Sequence, residues 1–198
     1  MYKYKLSNRF TYKKTLHFWN VLNNLEIEFP KNSIGSATIS RDKALFHLCY
    51  SFGLRPLEAL NLSTLDLNLE NLEEYDDLFG SICVNYQCLE DSRIVYPLYK
   101  ESIESIKNFM DIFDIYFRKN SNRNLFVTTK GNPLTLHYFK KRLRYYNSKL
   151  PLDKQVDSIY YFRQFYIADL LRIKDFSQTF INNQIGNNII NNQLYSHL

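Results

Sequence analysis

Hydrophobic side chains recur every three to four residues in the first part of the chain, which is the spacing of one face of an α-helix. The first such stretch predicts a helix over residues 12–25 that ends before Pro30. Its expected apolar positions are Leu16, Trp19, Val21, Leu22 and Leu25. A second stretch predicts a helix over residues 41–52, with Ser40 as its N-cap and Gly53 at its end. Both helices are expected to pack an apolar face on a core.

A short helix is predicted to begin at Pro56, because proline is favoured in the first turn of a helix. Arg55 therefore lies at the junction between two helices, where its guanidinium group can point into a cleft. Glu58 follows three residues later and can reach the Arg55 side chain on the same side of the helix. We expect the carboxylate of Glu58 to hold Arg55 in place.

The middle of the chain predicts an antiparallel β-hairpin. Residues 79–87 and 92–98 are rich in β-branched and aromatic types and are separated by a short polar turn. The preceding residues 66–77 carry acidic side chains and no Lys or Arg, so this segment is expected to turn away from a polyanion. A helix over residues 101–118 follows the hairpin. Its expected buried positions are Ile103, Ile106, Met110, Phe113 and Phe117.

Basic and aromatic side chains are interleaved on the helix predicted after residues 125–135. Those residues indicate a short strand, a turn built on Gly131 and Pro133, and an N-cap at Thr135. The candidate DNA-contacting side chains in this region are Lys130, Lys140, Lys141, Arg142 and Arg144. A basic helix with aromatic neighbours suits contact with a DNA backbone. The alternative is a cationic amphipathic helix whose charges only face water.

The final stretch, residues 157–198, combines an arginine inside an apolar helical run with a tyrosine three residues from the end. The arginine is Arg163, and a guanidinium group presents a planar fork of donors that fits phosphate oxygens. The tyrosine is Tyr195, and a tyrosine hydroxyl can act as a covalent nucleophile toward phosphorus. The alternatives are a structural ion pair for the arginine and an aromatic anchor of a terminal helix for the tyrosine.

Several segments of the chain, in the right order, resemble the catalytic domain of the tyrosine recombinase (phage integrase) family. Residues 41–67, RDKALFHLCYSFGLRPLEALNLSTLDL, resemble the family's first-arginine box and contain Arg55 and Glu58. The segment RIVYPL, which begins at Arg93, resembles its β-hairpin. The segment before its DNA-facing helix resembles LFVTTKGNPLT, and its second-arginine box resembles YYFRQFYIADLL, which contains Arg163. Its last box is similar to IGNNIINNQLYSHL, in which Tyr195 takes the place of the nucleophile.

This resemblance implies a mainly α-helical fold with a small antiparallel β-sheet (α+β). It also implies an enzyme that acts on double-stranded DNA without a metal or a nucleotide cofactor. Tyr195 would attack a scissile phosphate to form a 3′-phosphotyrosyl link, while Arg55 and Arg163 would bind the non-bridging phosphate oxygens. The substrate-orienting residues would be Glu58, Gln87 and Arg93.

The chain departs from the family pattern at the groups that move protons. Tyr160 stands where the family has a histidine, three residues before the second arginine. A phenol, with a reference pKa near 10, is a poorer proton shuttle at neutral pH than an imidazole. The hairpin lysine is absent from residues 85–93, where Gln87 or Cys88 stands instead. The histidine or tryptophan after the late glycine is Asn187, which can donate a hydrogen bond.

The composition of the chain indicates which kind of molecule it binds and in which cellular compartment it is expected. A formal net charge of +5 at pH 7 and a pI of about 9.0 favour an anionic partner such as nucleic acid. The three cysteines stand at no metal-ligand spacing, and residues 1–10 lack the apolar core of a signal peptide, which predicts a reducing, cytoplasmic setting. No apolar run approaches the roughly 20 residues that cross a bilayer, so no membrane segment is expected.

A single catalytic domain is expected over residues 1–198, with a basic arm and the first helix in residues 1–35. This leaves no room for a separate core-binding domain. Because only three residues follow Tyr195, no C-terminal helix is expected to dock onto a neighbouring subunit. We therefore expect a monomer in solution that self-associates only on DNA.

Two functions of different classes fit these observations. The first is a divergent but active recombinase from a virus, plasmid or other mobile element. The second is a catalytically impaired DNA-binding protein derived from a recombinase, which keeps a basic cleft without cleaving. A helical interaction domain with coincidental motifs is a third possibility, and DNA binding separates it from the other two.

Overall fold

The computed structural model describes residues 12–69, 80–84, 92–118, 123–173 and 175–186. The helices in these ranges are α1 (Tyr12–Glu28), α2 (Ile34–Ser51), α3 (Pro56–Leu60), α4 (Lys100–Tyr116), α5 (Leu136–Asn147), α6 (Tyr161–Arg172) and α7 (Gln178–Ile185). The strands are β1 (Leu67–Asn68), β2 (Ser81–Val84) and β3 (Arg93–Val95). The predicted mainly helical fold with a small antiparallel sheet is confirmed.

The sheet has the order β1-β2-β3, and both neighbouring pairs are antiparallel. Ile82 pairs with Leu67 on one side and with Val95 on the other, so β2 is the central strand. The pairing of β2 with β3 confirms the predicted hairpin. The strand β1 was not predicted, because two residues are too short for a pattern of alternating side chains.

Helix α2 is the centre of the molecule, since α1, α3, α4 and α6 all pack against it. The prediction that Ser40 caps this helix is wrong. The N-cap is Ser33, whose hydroxyl accepts a hydrogen bond from the Ser36 backbone N–H at 3.1 Å. Ser40 lies one and a half turns inside the helix and is buried. Burial of nearly every residue from Ala37 onward stabilises helical structure that local propensity alone does not favour.

The buried face of α1 is rotated from the predicted one. Thr15, Phe18, Leu22 and Leu25 are buried, whereas Leu16 is 43% exposed. The sequence pattern did not reveal this face, because one of its buried residues, Thr15, is polar. Phe18 takes the central position, with its ring 4.9 Å from the ring centres of two core aromatics on α2 and α6.

The predicted helix over residues 101–118 is α4, and its buried side chains include Ile103, Ile106, Phe109 and Phe113. Residues 125–135 form an isolated β-bridge between Val127 and Pro133 instead of a regular strand. The predicted N-cap at Thr135 is confirmed, because its hydroxyl accepts from the Tyr138 backbone N–H at 3.2 Å. Within the described ranges, none of the helices is both long enough and apolar enough to span a membrane.

Candidate active site

The turn between α2 and α3 positions Arg55. Gly53 ends α2 with φ +62°, and a Cβ atom at this position would lie 2.2 Å from the ring of Tyr166. Only glycine therefore lets the backbone turn so close to α6. The chain then extends through Arg55, which directly precedes Pro56 at the start of α3. The predicted junction between two helices is confirmed.

Glu58 holds Arg55 through two hydrogen bonds. Its carboxylate accepts from the Arg55 backbone N–H at 2.7 Å and from the Arg55 Nη1 at 2.6 Å. The same carboxylate accepts from Arg93 on β3, with Nη2 at 2.9 Å and Nη1 at 3.2 Å. Glu58 thus bridges two arginines from different elements. Its side chain is 7% exposed, and that of Arg93 is 8% exposed.

Arg163 reaches the same region from α6 and is buried. Its Nη1 donates to the carbonyl oxygen of Gly53, and its Nη2 donates to the carbonyl oxygen of Ile185 at 2.7 Å. Arg55 donates from Nη2 to the next carbonyl oxygen, that of Gly186, at 3.2 Å. The two predicted phosphate-binding arginines therefore converge on consecutive carbonyl groups at the end of α7.

We call Arg55, Arg93 and Arg163, together with Glu58, the arginine cluster. Three guanidinium groups and one carboxylate leave two net positive charges in a partly buried location. Guanidinium groups held in fixed orientations by hydrogen bonds are suited to bind an anion with several oxygen atoms, such as a phosphate diester. The cluster therefore has the charge and the donor geometry of an anion site.

Gly186 completes the cluster through its backbone. It ends α7 in the left-handed region, with φ +66°. A Cβ atom there would lie 2.7 Å from the guanidinium carbon of Arg93. The backbone conformation therefore favours glycine, and a Cβ atom would also require the Arg93 guanidinium group to shift.

Two other side chains near the cluster are unsuited to act as nucleophiles. Burial raises the pKa of the Tyr166 phenol, although Arg163 and Arg93 oppose the rise. Burial likewise raises the pKa of the Cys49 thiol against the opposing effect of Arg163. Both groups stay protonated at neutral pH, and both are fully buried.

Sequence reasoning missed Gln184, which is buried on α7 two residues before Gly186. Its amide oxygen accepts from the Tyr96 backbone N–H at 2.8 Å, and its amide nitrogen donates to the Ile94 carbonyl at 3.2 Å. The available signal was its place between Ile181 and Ile185, since a polar residue on an apolar helical face requires a buried partner.

The remaining candidates for the chemistry are placed as follows. Tyr160 immediately precedes α6, the helix of Arg163, and its side chain is 42% exposed. Tyr195, Asn187 and Gln87 lie outside the described residues. In the described part of the chain, no group of His, Cys, Asp and Glu side chains is arranged to hold a metal ion.

The basic helix α5 divides its charges between solvent and interior. Lys140, Lys141 and Arg144 are exposed, as is Lys130 in the preceding turn. Arg142 instead turns inward, where its Nε donates to Asp42 and its Nη2 donates to the Tyr146 hydroxyl at 2.6 Å. The structure thus assigns Arg142 an internal ion pair and separates it from the other four predicted DNA contacts.

Asp42 makes this ion pair part of a buried network that joins α2 to α5. Its other carboxylate oxygen accepts from Arg41 at 2.7 Å, and Arg41 also donates to the Tyr138 hydroxyl at 2.7 Å. Burial alone would lower the pKa of Arg142, but the attraction of Asp42 and Tyr146 raises it above its ordinary value. Both arginines therefore remain charged and fix the position of α5.

Three recombinase structures resemble this fold. The XerH site-specific recombinase, bound to its difH substrate before cleavage, has a TM-score of 0.66 and 21% identity, over 90% of this chain and 47% of XerH. The XerA recombinase has a TM-score of 0.69 and 18% identity, over 95% of this chain and 59% of XerA. The Tn1549 transposon integrase, in complex with circular intermediate DNA, has a TM-score of 0.59 and 14% identity, over 85% of this chain and 56% of the integrase.

No protein-family model and no curated protein sequence matches the chain. The chain spans about half the length of the recombinases that it resembles. The likeness covers between 85% and 95% of this chain in the three structures. The chain therefore has the fold of a tyrosine recombinase catalytic domain, as the resemblance of its sequence segments implies.

Proposed function

We propose that the chain is the catalytic domain of a site-specific DNA recombinase or integrase. The observation that carries this proposal is the convergence of Arg55 and Arg163 on neighbouring acceptor groups, although the two arginines come from separate parts of the sequence. A chance match of short motifs does not require the matching residues to meet in space. The recombinase fold adds support, because the resembling proteins include two that are bound to DNA.

The proposed reaction begins with attack of the Tyr195 hydroxyl on a scissile phosphate. The bond from phosphorus to the 5′-oxygen breaks, and a 3′-phosphotyrosyl link forms in its place. A 5′-hydroxyl of another DNA strand then attacks this link, which rejoins the DNA and releases Tyr195. Arg55 and Arg163 bind the non-bridging oxygens and offset the charge that grows on them in the transition state.

The leaving 5′-oxygen must gain a proton, and Tyr195 must lose one. Tyr160 is proposed to donate a hydrogen bond to the phosphate, and Asn187 is proposed to do the same from the segment after Gly186. Gln87 and Arg93 are proposed to orient the substrate, with Glu58 fixing Arg93 and Arg55 relative to each other. None of these groups requires a metal or a cofactor.

The proposed partner is double-stranded DNA. Lys130, Lys140, Lys141 and Arg144 are exposed around the start and outer face of α5, where their charges can contact phosphates. Arg142 is proposed to support this surface from inside through its ion pair with Asp42. We propose that the protein is a monomer in the cytoplasm that self-associates on DNA and that it serves a virus, plasmid or other mobile element.

A suicide DNA substrate tests the proposal. A duplex nicked near the cleavage position loses a short strand after cleavage, so the covalent protein–DNA adduct accumulates. We expect an adduct that survives denaturation with the wild-type chain and none with Tyr195→Phe. Tyr145→Phe removes a hydroxyl from a tyrosine outside the arginine cluster and serves as the matched control.

A second candidate function is DNA binding without cleavage. The observation that favours it is the loss of the usual proton-transfer residues, since Tyr160 and Asn187 stand at those positions. Under this alternative, wild-type protein binds DNA as tightly as Tyr195→Phe, and neither forms an adduct. Absence of both binding and adduct contradicts both candidates.

A further inference from the structure

The Gln184 side chain joins α7 to β3 through both ends of its amide. The oxygen accepts from the Tyr96 N–H at 2.8 Å, and the nitrogen donates to the Ile94 carbonyl at 3.2 Å. The Tyr166 hydroxyl also donates to the amide oxygen, at 3.4 Å. Gln184 is 1% exposed. A buried amide with partners on both atoms fixes the helix in position as well as in rotation.

The two backbone groups are those that a further strand would use. The Ile94 carbonyl and the Tyr96 N–H both point to α7, as their hydrogen bonds to Gln184 show, and alternate residues of an edge strand direct their backbone groups outward in this way. The primary amide of Gln184 substitutes for one peptide group of that missing strand. Because this pairing requires one defined position along β3, it fixes the position of the last turn of α7 relative to β3.

The end of α7 meets the phosphate-binding arginines. Ile185 and Gly186 directly follow Gln184, and their carbonyl oxygens accept from Arg163 at 2.7 Å and from Arg55 at 3.2 Å. In the proposed reaction, the same two guanidinium groups bind the non-bridging phosphate oxygens. A phosphate that binds the same N–H groups of Arg55 and Arg163 would displace these two carbonyl oxygens.

We propose that Gln184 is a positioning residue that keeps the end of α7 on Arg55 and Arg163 until a phosphate replaces it. This proposal rests on the proposed function for the identity of the displaced contact. While α7 is held, the arginines are oriented but occupied, which lowers the affinity for an anion. Once α7 is free, the arginines bind anions more readily, but the segment that leads to Tyr195 is no longer fixed at its start.

The variant Gln184→Met tests this role, because methionine has a similar length and lacks both hydrogen-bonding groups. The matched control is Gln178→Met, at an exposed position on the same helix. The probes are inorganic phosphate, measured by titration, the exchange rate of the Tyr96 amide hydrogen, and the rate of adduct formation on the suicide DNA substrate.

For Gln184→Met we expect phosphate affinity to rise roughly 2- to 10-fold, the range that corresponds to loss of one competing hydrogen bond. The Tyr96 amide should exchange faster, and the adduct should form more slowly although DNA binds at least as tightly. A residue that only stabilises the fold would lower affinity and rate together. Gln178→Met should leave all three measurements unchanged.

The proposal is overturned if phosphate affinity falls, or if Tyr96 exchanges at the wild-type rate. Should Gln184→Met fail to fold, Gln184→Leu replaces it, since leucine also lacks both hydrogen-bonding groups and adds no charge. Wild-type protein that forms no adduct contradicts the proposed recombinase, whereas the phosphate and exchange measurements still decide the role of Gln184.

Discussion

Glu58 illustrates how one side chain organises several others. It accepts four hydrogen bonds from Arg55 and Arg93, and its carboxylate is the only negative charge among the four side chains of the arginine cluster. The Glu58 and Arg93 side chains are nearly buried, while the Arg55 side chain is 27% exposed. A carboxylate in this position offsets the mutual repulsion of the guanidinium groups.

The substitution Glu58→Gln is expected to lower the free energy of unfolding by about 3 kcal/mol, because it leaves Arg93 buried without its charged partner. Urea denaturation measures this change. Glu101→Gln, at an exposed position on α4, is the control and should change stability by less than about 0.5 kcal/mol. An equal effect of the two substitutions would show that Glu58 does not stabilise Arg93.

At the residue scale, sequence reasoning succeeded where the interaction is local. Arg55 and Glu58 are three residues apart next to a helix start, so their contact follows from helical geometry. The inward direction of Arg142 could not be predicted in this way. It depends on Asp42, which is far away in sequence and reaches Arg142 only through the packing of α2 on α5.

At the scale of single elements, α5 combines an outer and an inner function. Lys140, Lys141 and Arg144 point to solvent, while Arg142 and Tyr146 bind the buried Asp42 carboxylate. The spacing of a helix places the neighbours Lys141 and Arg142 on different faces. The run of basic residues in the sequence is therefore not a uniform surface, and its members should respond differently to substitution.

Replacing Lys140, Lys141 and Arg144 together with glutamine is expected to weaken DNA binding for all sequences. The slope of log affinity against log salt concentration should decrease in magnitude by up to about 2.7, because each phosphate contact contributes about 0.9. Titrations at several salt concentrations measure the slope. Lys100→Gln with Lys107→Gln removes two exposed charges on α4 and should leave the slope within error of the wild-type value.

The ends of helices could be predicted from the sequence where a single residue determines them, and could not where packing against other elements does. The N-cap at Thr135 and the end of α2 at Gly53 could be predicted, since both depend on the chemistry of one residue. The start of α2 was missed because Ser33 and Ser40 have the same capping chemistry, and burial of residues between them favours the earlier cap. Gln184 was missed for a related reason, since its partners lie on β3.

At the scale of the whole molecule, His47 lies where α1, α2 and α4 meet. Its ring stacks on Trp19 with 4.0 Å between ring centres, and its Nδ1 lies 2.8 Å from the Ser102 hydroxyl. Burial lowers the pKa of His47 to about 3, and the nearby Lys43 contributes to the same direction. The folded protein therefore holds a neutral imidazole between three helices.

Protonation of His47 should make global stability depend on pH. Between pH 6.5 and about 3 the unfolded chain binds a proton at His47 and the folded chain does not, so stability falls as the pH is lowered through this window. The expected contribution is up to about 1.4 kcal/mol per pH unit. It is absent above pH 6.5, where both states are neutral.

The variant His47→Phe keeps an aromatic ring against Trp19 and removes the titrating group. Its free energy of unfolding should therefore depend less steeply on pH between 4 and 6.5 than that of the wild-type chain, as measured by urea denaturation at fixed pH values. Comparing the two proteins cancels the contribution of the carboxylates. Parallel pH profiles would mean that His47 is protonated equally in both states.

The fold class could be predicted at this scale because helical periodicity, one hairpin and ordered motif segments agree with each other. The arrangement of the arginine cluster required the structure. Arg93 and Arg163 meet Glu58 and α7 only after the sheet and α6 have packed around α2. Sequence order establishes that such residues are present, and packing decides which of them touch.

The amide of Gln184 also has a consequence for solubility. Edge strands with free backbone groups can recruit strands from other molecules and so begin aggregation. In this protein a side chain already occupies the outward groups of Ile94 and Tyr96. The small sheet is thereby protected on that side from pairing with a second copy of the chain.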